Sequence, residues 1–339
     1  MTCPLPLRIV LALLILLLAA ACRKSTGGSG PDPVTPPPPD PWTLKGPMVF
    51  QSNFEAGCSI VPHTGVNDRI TGRDNSLATL SDWDVLETTV LSTRPHFNYN
   101  GGDSSMRTAR LVPDPVNPSN RVLHYRLRDT WLDGGAYRGR VQYEFYNIRR
   151  GFREYHQSVR VFLPAAEFDA LRRYPASISW LTIVEIWNNI TWSQTVGNRY
   201  RLTLGIGKLV PTESDLCFIL DAQDCELFAD GSQKYTTIWS RQAPTVAVPV
   251  GRWFTMEYWL KEGNRDAGRF VLSIQPDGGA RQTVFDVTHF THHSGDAAPD
   301  GVTHFNPMKL YTSKPLVDYL RQQGLSLGIY WDDFRLWAR

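Results

Sequence analysis

The sequence predicts an all-β protein, a two-sheet antiparallel sandwich or a barrel with one or two short helices. Beyond a proline-rich stretch near the start, the chain is a succession of short segments rich in Val, Ile, Thr, Tyr, Phe and Trp. Clusters of Gly, Pro, Asn and Asp break them. Helical periodicity is confined to 165–173 and 314–323, and nothing alternates strand with helix as a parallel sheet requires.

In chain order the expected strands are 121–127, 138–146, 156–163, 179–187, 200–206, 253–260, 269–275, 308–311 and 327–337. Successive strand residues point to opposite faces, so two of these segments also reveal their sides. In the first, Arg140, Gln142, Glu144 and Tyr146 share a polar face opposite an apolar one. In the second, Ile183, Glu185 and Trp187 oppose Thr182, Val184, Ile186 and Asn188. Such a polar face with aromatics either lines a groove or meets bulk water.

The first residues read as an address. Arg8 supplies one positive charge, and the apolar run 9–21 is too short to span a bilayer comfortably. It ends in Ala19, Ala20 and Ala21, directly before Cys22. This resembles the lipobox of bacterial lipoproteins, with Ala19 in the place of the usual leucine. The resemblance implies cleavage before Cys22, lipid on its thiol, and a cell-envelope location on the outer membrane; an ordinary secretory signal or an uncleaved anchor would export the domain equally. Residues 22–46 form a Pro/Gly-rich tether, since proline fixes φ and removes donors. The folded domain is expected over 47–339.

No repeat or second linker divides that domain. Net charge is +2 with mixed signs, which argues against a nucleic-acid partner, and a monomer is expected. After Cys3 and Cys22, the remaining cysteines are Cys58, Cys217 and Cys225. In an oxidising compartment Cys217 and Cys225 are expected to close a disulfide across a hairpin, leaving Cys58 as a buried thiol. No CxxC spacing supports a zinc or redox site. His289, His292 and His293 read as loop histidines, and no Gly-x-Ser-x-Gly elbow or phosphate loop occurs.

Ser52-Asn53-Phe54-Glu55-Ala56-Gly57 and Ile329-Tyr330-Trp331-Asp332-Asp333-Phe334-Arg335-Leu336-Trp337 resemble the opening and closing strands of concanavalin A-like or laminin G-like jelly rolls. That superfamily contains lectins, carbohydrate-binding modules, glycoside hydrolases and polysaccharide lyases. The resemblance implies a jelly-roll sandwich and a structural calcium held by Glu55 and one of Asp332 or Asp333, with Asp333 preferred. Calcium takes hard oxygen ligands of this kind, and alternation lets only one of two adjacent acids face the ion.

Retaining hydrolases of the superfamily carry Glu-x-Asp-x-Glu on one strand; here Glu185 is followed by Trp187 and Asn189, which argues against that chemistry. A Glu144–Glu185 pair from two strands stays open. Its lyases remove the proton α to a uronate carboxylate, which needs a cation or amide to neutralise that group and a side chain to move the proton. Arg140, Gln142, Asn188, Lys309 and Tyr311 are the candidates. Met308-Lys309-Leu310-Tyr311 resembles the Lys-x-Gly-x-Tyr strand of alginate-lyase-like jelly rolls, without the glycine and with a shorter spacing.

The first expectation is therefore a lipoprotein that binds polysaccharide in a groove, with Tyr146 and Trp187 stacking on sugars and Asn188 bonding hydroxyls. Cleavage of a uronate-containing glycan by β-elimination is the alternative, and a structural lipoprotein that binds a protein is the second. A core position for Trp187 competes with the groove position.

Overall fold

Alternation of apolar and polar side chains builds strands through most of the computed structural model, which describes residues 40–43, 45–188 and 197–339. The leader, Cys22, most of the tether and Asn189 lie outside the described residues. In chain order the strands are β1 (Met48–Ser52), β2 (Ser59–Pro62), β3 (Asp68–Thr71), β4 (His96–Asn98), β5 (Arg107–Pro113) and β6 (Arg121–Leu127). They continue as β7 (Trp131–Asp133), β8 (Ala136–Phe145), β9 (Glu154–Phe162), β10 (Leu181–Asn188), β11 (Gly197–Gly207) and β12 (Cys217–Leu227). The last are β13 (Gln233–Ala243), β14 (Trp253–Lys261), β15 (Arg269–Pro276), β16 (Gln282–Thr288), β17 (Val302–Ser313) and β18 (Leu327–Ala338). Three short helices complete the fold: α1 (Leu86–Thr89), α2 (Ala165–Arg172) and α3 (Lys314–Gln322).

The strands form a two-sheet antiparallel jelly-roll sandwich. One sheet runs β16-β15-β14-β9-β18-β6-β5, with β1 also paired to β18; the other runs β13-β12-β11-β10-β17-β8-β4-β3-β2, with β7 on β8. Aromatic rings from both sheets meet in the core: Phe145 of β8 lies 5.9 Å from Phe334 of β18, and Phe97 of β4 lies 5.9 Å from Tyr125 of β6. Trp83, from the segment before α1, fills the space among them, 4.5 Å from Phe50 and 5.2 Å from Tyr143.

The opening motif is held by the Asp74 carboxylate, which accepts from the Asn53 N–H at 2.6 Å and from the Ser52 hydroxyl at 3.2 Å. Gly57 has φ +102°, and a Cβ there would stand 2.1 Å from the Arg73 carbonyl oxygen. Only glycine fits this position. The compact unit begins at Asp40, within the span expected to be tether. Trp42 packs edge-on against His156, and Lys45 pairs with Glu257 at 2.7 Å on the outer side of the β9–β14 pair.

Two expectations are corrected here. Cys217 and Cys225 do not form a disulfide: both lie on β12, where eight residues of extended chain separate them by about 26 Å, and both thiols are free. Cys58 is a free, buried thiol, pushed up to about 11 by burial and by Asp74. Ile183 does not share a face with Glu185 and Trp187. The β10–β11 register shifts between Thr182 and Val184, so Ile183 turns into the core and Thr182 toward the opposite side.

Candidate active site

The outer face of the ten-stranded sheet forms a cleft of about 910 Å³, and its floor is laid out by strand register. On β8 and β17, Arg140 stands opposite Tyr311 and Gln142 opposite Lys309. β4 adds Asn98 beside Gln142 and His96 beside Glu144. On the other side of β17, Glu185 of β10 faces Asn306 and Trp187 faces His304. β11 then places Thr203 beside Glu185 and Arg201 beside Trp187, and β12 brings Asp221 and Gln223. Residues dispersed along the chain thus share one surface because β8, β17, β10 and β11 are consecutive in the sheet.

Glu185 is the electrostatic centre of the cleft. It is buried, and its two oxygens pair with Arg201 and Lys309. Burial alone would raise its carboxyl, but the two cations prevail and hold it well below the usual carboxylate range. Lys309 is brought down to about 8 by burial, with Arg140 and Arg201 adding to the effect and Glu185 opposing it. The cluster therefore keeps Glu185 ionised and leaves Lys309 able to titrate near neutrality.

A second carboxylate, Glu144, accepts from Gln142 Nε2 at 2.6 Å and Asn98 Nδ2 at 3.0 Å, with His96 Nε2 at 3.5 Å and His304 Nε2 at 3.9 Å. Burial brings His304 down to about 4, which keeps its ring neutral at physiological pH. Tyr311 is gripped on two sides. The Arg140 guanidinium lies 4.5 Å from its ring centre, and Arg138 Nη1 donates to its hydroxyl oxygen at 3.0 Å. Arg140 in turn pairs with Asp133 at 2.9 Å.

Of the sequence-derived candidates, Arg140, Gln142, Glu144, Tyr146, Glu185, Trp187, Lys309 and Tyr311 all line this cleft. Asn188 does not. Its side chain donates to Glu262 on the far side of β10, so its role is to tie the strand end to the chain after β14. Sequence reasoning missed Arg138, Trp180, Arg201, His96, His304 and Asn306. Arg138 carried a usable signal, since it has the same parity as Arg140 in an expected strand.

Trp187 combines the two positions considered for it: it lines the cleft yet is only 5% exposed, with the Arg201 guanidinium 5.5 Å from its ring centre. It is a wall of the cleft. Truncating Trp187 to Ala is expected to weaken binding of a ligand stacked on that wall about tenfold. The stability loss should stay below the about 3–5 kcal/mol of a core tryptophan, because water can enter the vacated wall. Affinity and melting measured on one preparation check this, and a collapse in melting with unchanged affinity would return Trp187 to the core.

Glu55, Asp332 and Asp333 line a separate polar cleft of about 840 Å³. Alternation leads one to expect only one of the two aspartates there. The β9–β18 register shifts after Asp332, and Asp333 has φ +49°, which brings both to one side. Glu55 accepts from the Arg121 N–H at 3.1 Å, and Asp333 lies 3.8 Å from Arg160 and 3.5 Å from Arg335. Burial and Asp333 push the Asp332 carboxyl up to about 7, although Arg160 lies 3.9 Å from it and Asn120 Nδ2 donates to it at 2.9 Å. Among the described residues no three His, Cys, Asp or Glu side chains are already arranged around one metal position.

No family model and no curated protein matches the chain. Solved structures are similar in overall shape. The marine PL-14 alginate lyase from Aplysia kurodai is 11% identical with a TM-score of 0.44, the match covering 86% of this chain and 100% of that one. Alginate lyase Aly36B is 15% identical with a TM-score of 0.41, covering 85% and 95%. The endo-β-1,4-glucuronan lyase from the fungus Trichoderma reesei is 15% identical with a TM-score of 0.38, covering 72% and 94%. At these values the likeness carries nothing about the chemistry of this chain.

Proposed function

We propose that the chain is an exported polysaccharide lyase, lipid-anchored through Cys22, that cuts a uronate-containing glycan by β-elimination in the cleft over β8, β17 and β10. One observation carries this reading: Arg140 with Tyr311 and Gln142 with Lys309 are register pairs on neighbouring strands, facing one cleft. A cation and an amide to oppose a carboxylate thus lie beside two proton-transfer groups. In the reaction, neutral Lys309 Nζ takes the proton on the carbon α to the carboxylate, whose charge Arg140 and Gln142 stabilise. That electron pair forms the new carbon–carbon double bond, and the bond from the β carbon to the glycosidic oxygen breaks. The leaving oxygen takes the Tyr311 hydroxyl proton, which protonated Lys309 restores.

A binding-only function is the second reading, favoured by the pairing of Lys309 with Glu185, which opposes loss of the amine's proton. Incubating the full chain with acidic and neutral polysaccharides while following ultraviolet absorbance separates the two. Lysis gives a conjugated unsaturated uronate; retention of the glycan without new absorbance leaves binding alone.

Calcium at Glu55 and Asp333 is a separate proposal, supported by the cleft that Glu55, Asp332 and Asp333 share; no step above depends on it. A ligand bound only to the native state stabilises it in proportion to the logarithm of its concentration over its dissociation constant. Melting is expected to rise in calcium and fall in EDTA. Superimposable curves would remove the site.

A further inference from the structure

The arginine and lysine side chains lining the cleft are Arg138, Arg140, Arg201 and Lys309. Three of them are answered by carboxylates within the protein: Arg140 by Asp133, and Arg201 and Lys309 by Glu185. Arg138 has no carboxylate partner among the described residues. Its Nη1 donates to the Tyr311 hydroxyl oxygen at 3.0 Å, and its Nε, sealed from water, has no acceptor. Among the described residues its remaining guanidinium donors meet no hydrogen-bond acceptor. Arg138 sits near the start of β8, opposite Ser313 of β17 and Trp131 of β7, at one end of the cleft floor. Beside it the indole of Trp180 lies 5.7 Å from the guanidinium and packs edge-on against Tyr311 at 4.8 Å. Arg138 and Trp180 are both partly exposed, so a ligand can reach them.

We propose that Arg138, Trp180 and Tyr311 form an end subsite that receives one uronic acid residue of the glycan, with the sugar ring against the indole and the carboxylate on the guanidinium. The inference deepens the lyase reading and rests on its uronate ligand, but it does not require cleavage. A planar guanidinium matches a carboxylate with two parallel hydrogen bonds, and it gains most where no internal anion already occupies it. An indole face supplies the stacking that orients a pyranose. Because Arg138 also holds the Tyr311 hydroxyl, a uronate bound there is fixed relative to the group that protonates the leaving oxygen. Arg138 therefore adds a second point, beyond Arg140 and Gln142, at which uronans are separated from neutral glycans of the same linkage.

The test compares a β-1,4-linked oligouronate with its carboxyl-reduced counterpart on the full chain, binding being read by tryptophan fluorescence in rapid mixing before turnover. The parent is expected to prefer the oligouronate by about tenfold or more. Arg138→Ala should remove most of the preference, leaving what Arg140 and Gln142 supply, and Arg138→Lys should retain more of it. Trp180→Ala should weaken both ligands alike, and unchanged melting of each variant excludes unfolding. A parent without preference, a parent that binds neither ligand, or an Arg138→Ala protein that keeps the full preference overturns the proposal. A preference that depends on Arg138 without any unsaturated product keeps the subsite and removes the lyase reading. Unsaturated product with discrimination unaltered by Arg138→Ala does the reverse.

Discussion

Replacing Lys309 by arginine is expected to lower cleavage by about 10²–10⁴-fold, the usual contribution of a positioned acid–base group, while ligand affinity and melting stay near those of the parent. Arginine keeps a positive charge for Glu185 but cannot give up its proton in the working range. The sign of the pH dependence follows from the same residue. Burial, with Arg140 and Arg201, lowers the Lys309 ammonium to about 8, so the neutral amine that accepts the substrate proton appears as pH rises through that value. Activity should climb through this region. Glu185→Gln removes the anion that opposes deprotonation and should move the limb to lower pH. Full activity in Lys309→Arg, or a profile that falls through pH 8, would assign Lys309 to binding charge alone.

Truncating Trp83 to Ala should produce the largest loss of stability, about 3–5 kcal/mol, lowering melting by on the order of 10 °C for a domain of this size. Trp83 is 1% exposed and touches Phe50 of β1, Tyr143 of β8 and Phe334 of β18, while its Nε1 donates to Ser52 Oγ at 3.3 Å. It joins the terminal strands to the underside of the cleft floor, since Tyr143 lies between Gln142 and Glu144 on β8. Glycan affinity should therefore fall along with stability. Val116→Ala, at a side chain 62% exposed, serves as the comparison and should leave melting unchanged. Equal melting of the two variants would contradict this account of the core.

What was legible in the sequence was the alternation itself. It exposed the polar face of β8, and the cleft follows once that face is paired with Lys309 and Tyr311. Strand order was not legible, because nothing in a strand's own residues says which strand lies next to it. The neighbourhood of β8, β17, β10 and β11 had to come from the structure. β12 was misread for a chemical reason: Phe218, Leu220 and Ala222 alternate with Asp221 and Gln223, but two cysteines nearby suggested a hairpin staple. β17 appeared short because Pro307 interrupts it. The structure accommodates that proline at a register shift between Phe305 and Met308, where a ladder donor is dispensable. Shifts of the same kind defeated strict parity at Ile183 and at the Asp332–Asp333 pair. Arg138 was overlooked because its distinction lies in lacking an anion, which only the positions of Asp133 and Glu185 reveal.

Elimination in the cleft leaves a mark on the cut ends that hydrolysis does not. Digestion of a polyuronate by the full chain in water enriched in heavy oxygen, followed by mass spectrometry of the fragments, tests it most directly. The expected fragments carry an unsaturated terminal uronate and no oxygen from solvent, and they form far more slowly in Lys309→Arg. Fragments that are saturated and have gained a solvent oxygen would show hydrolysis and contradict elimination, and a polymer left intact would contradict it too.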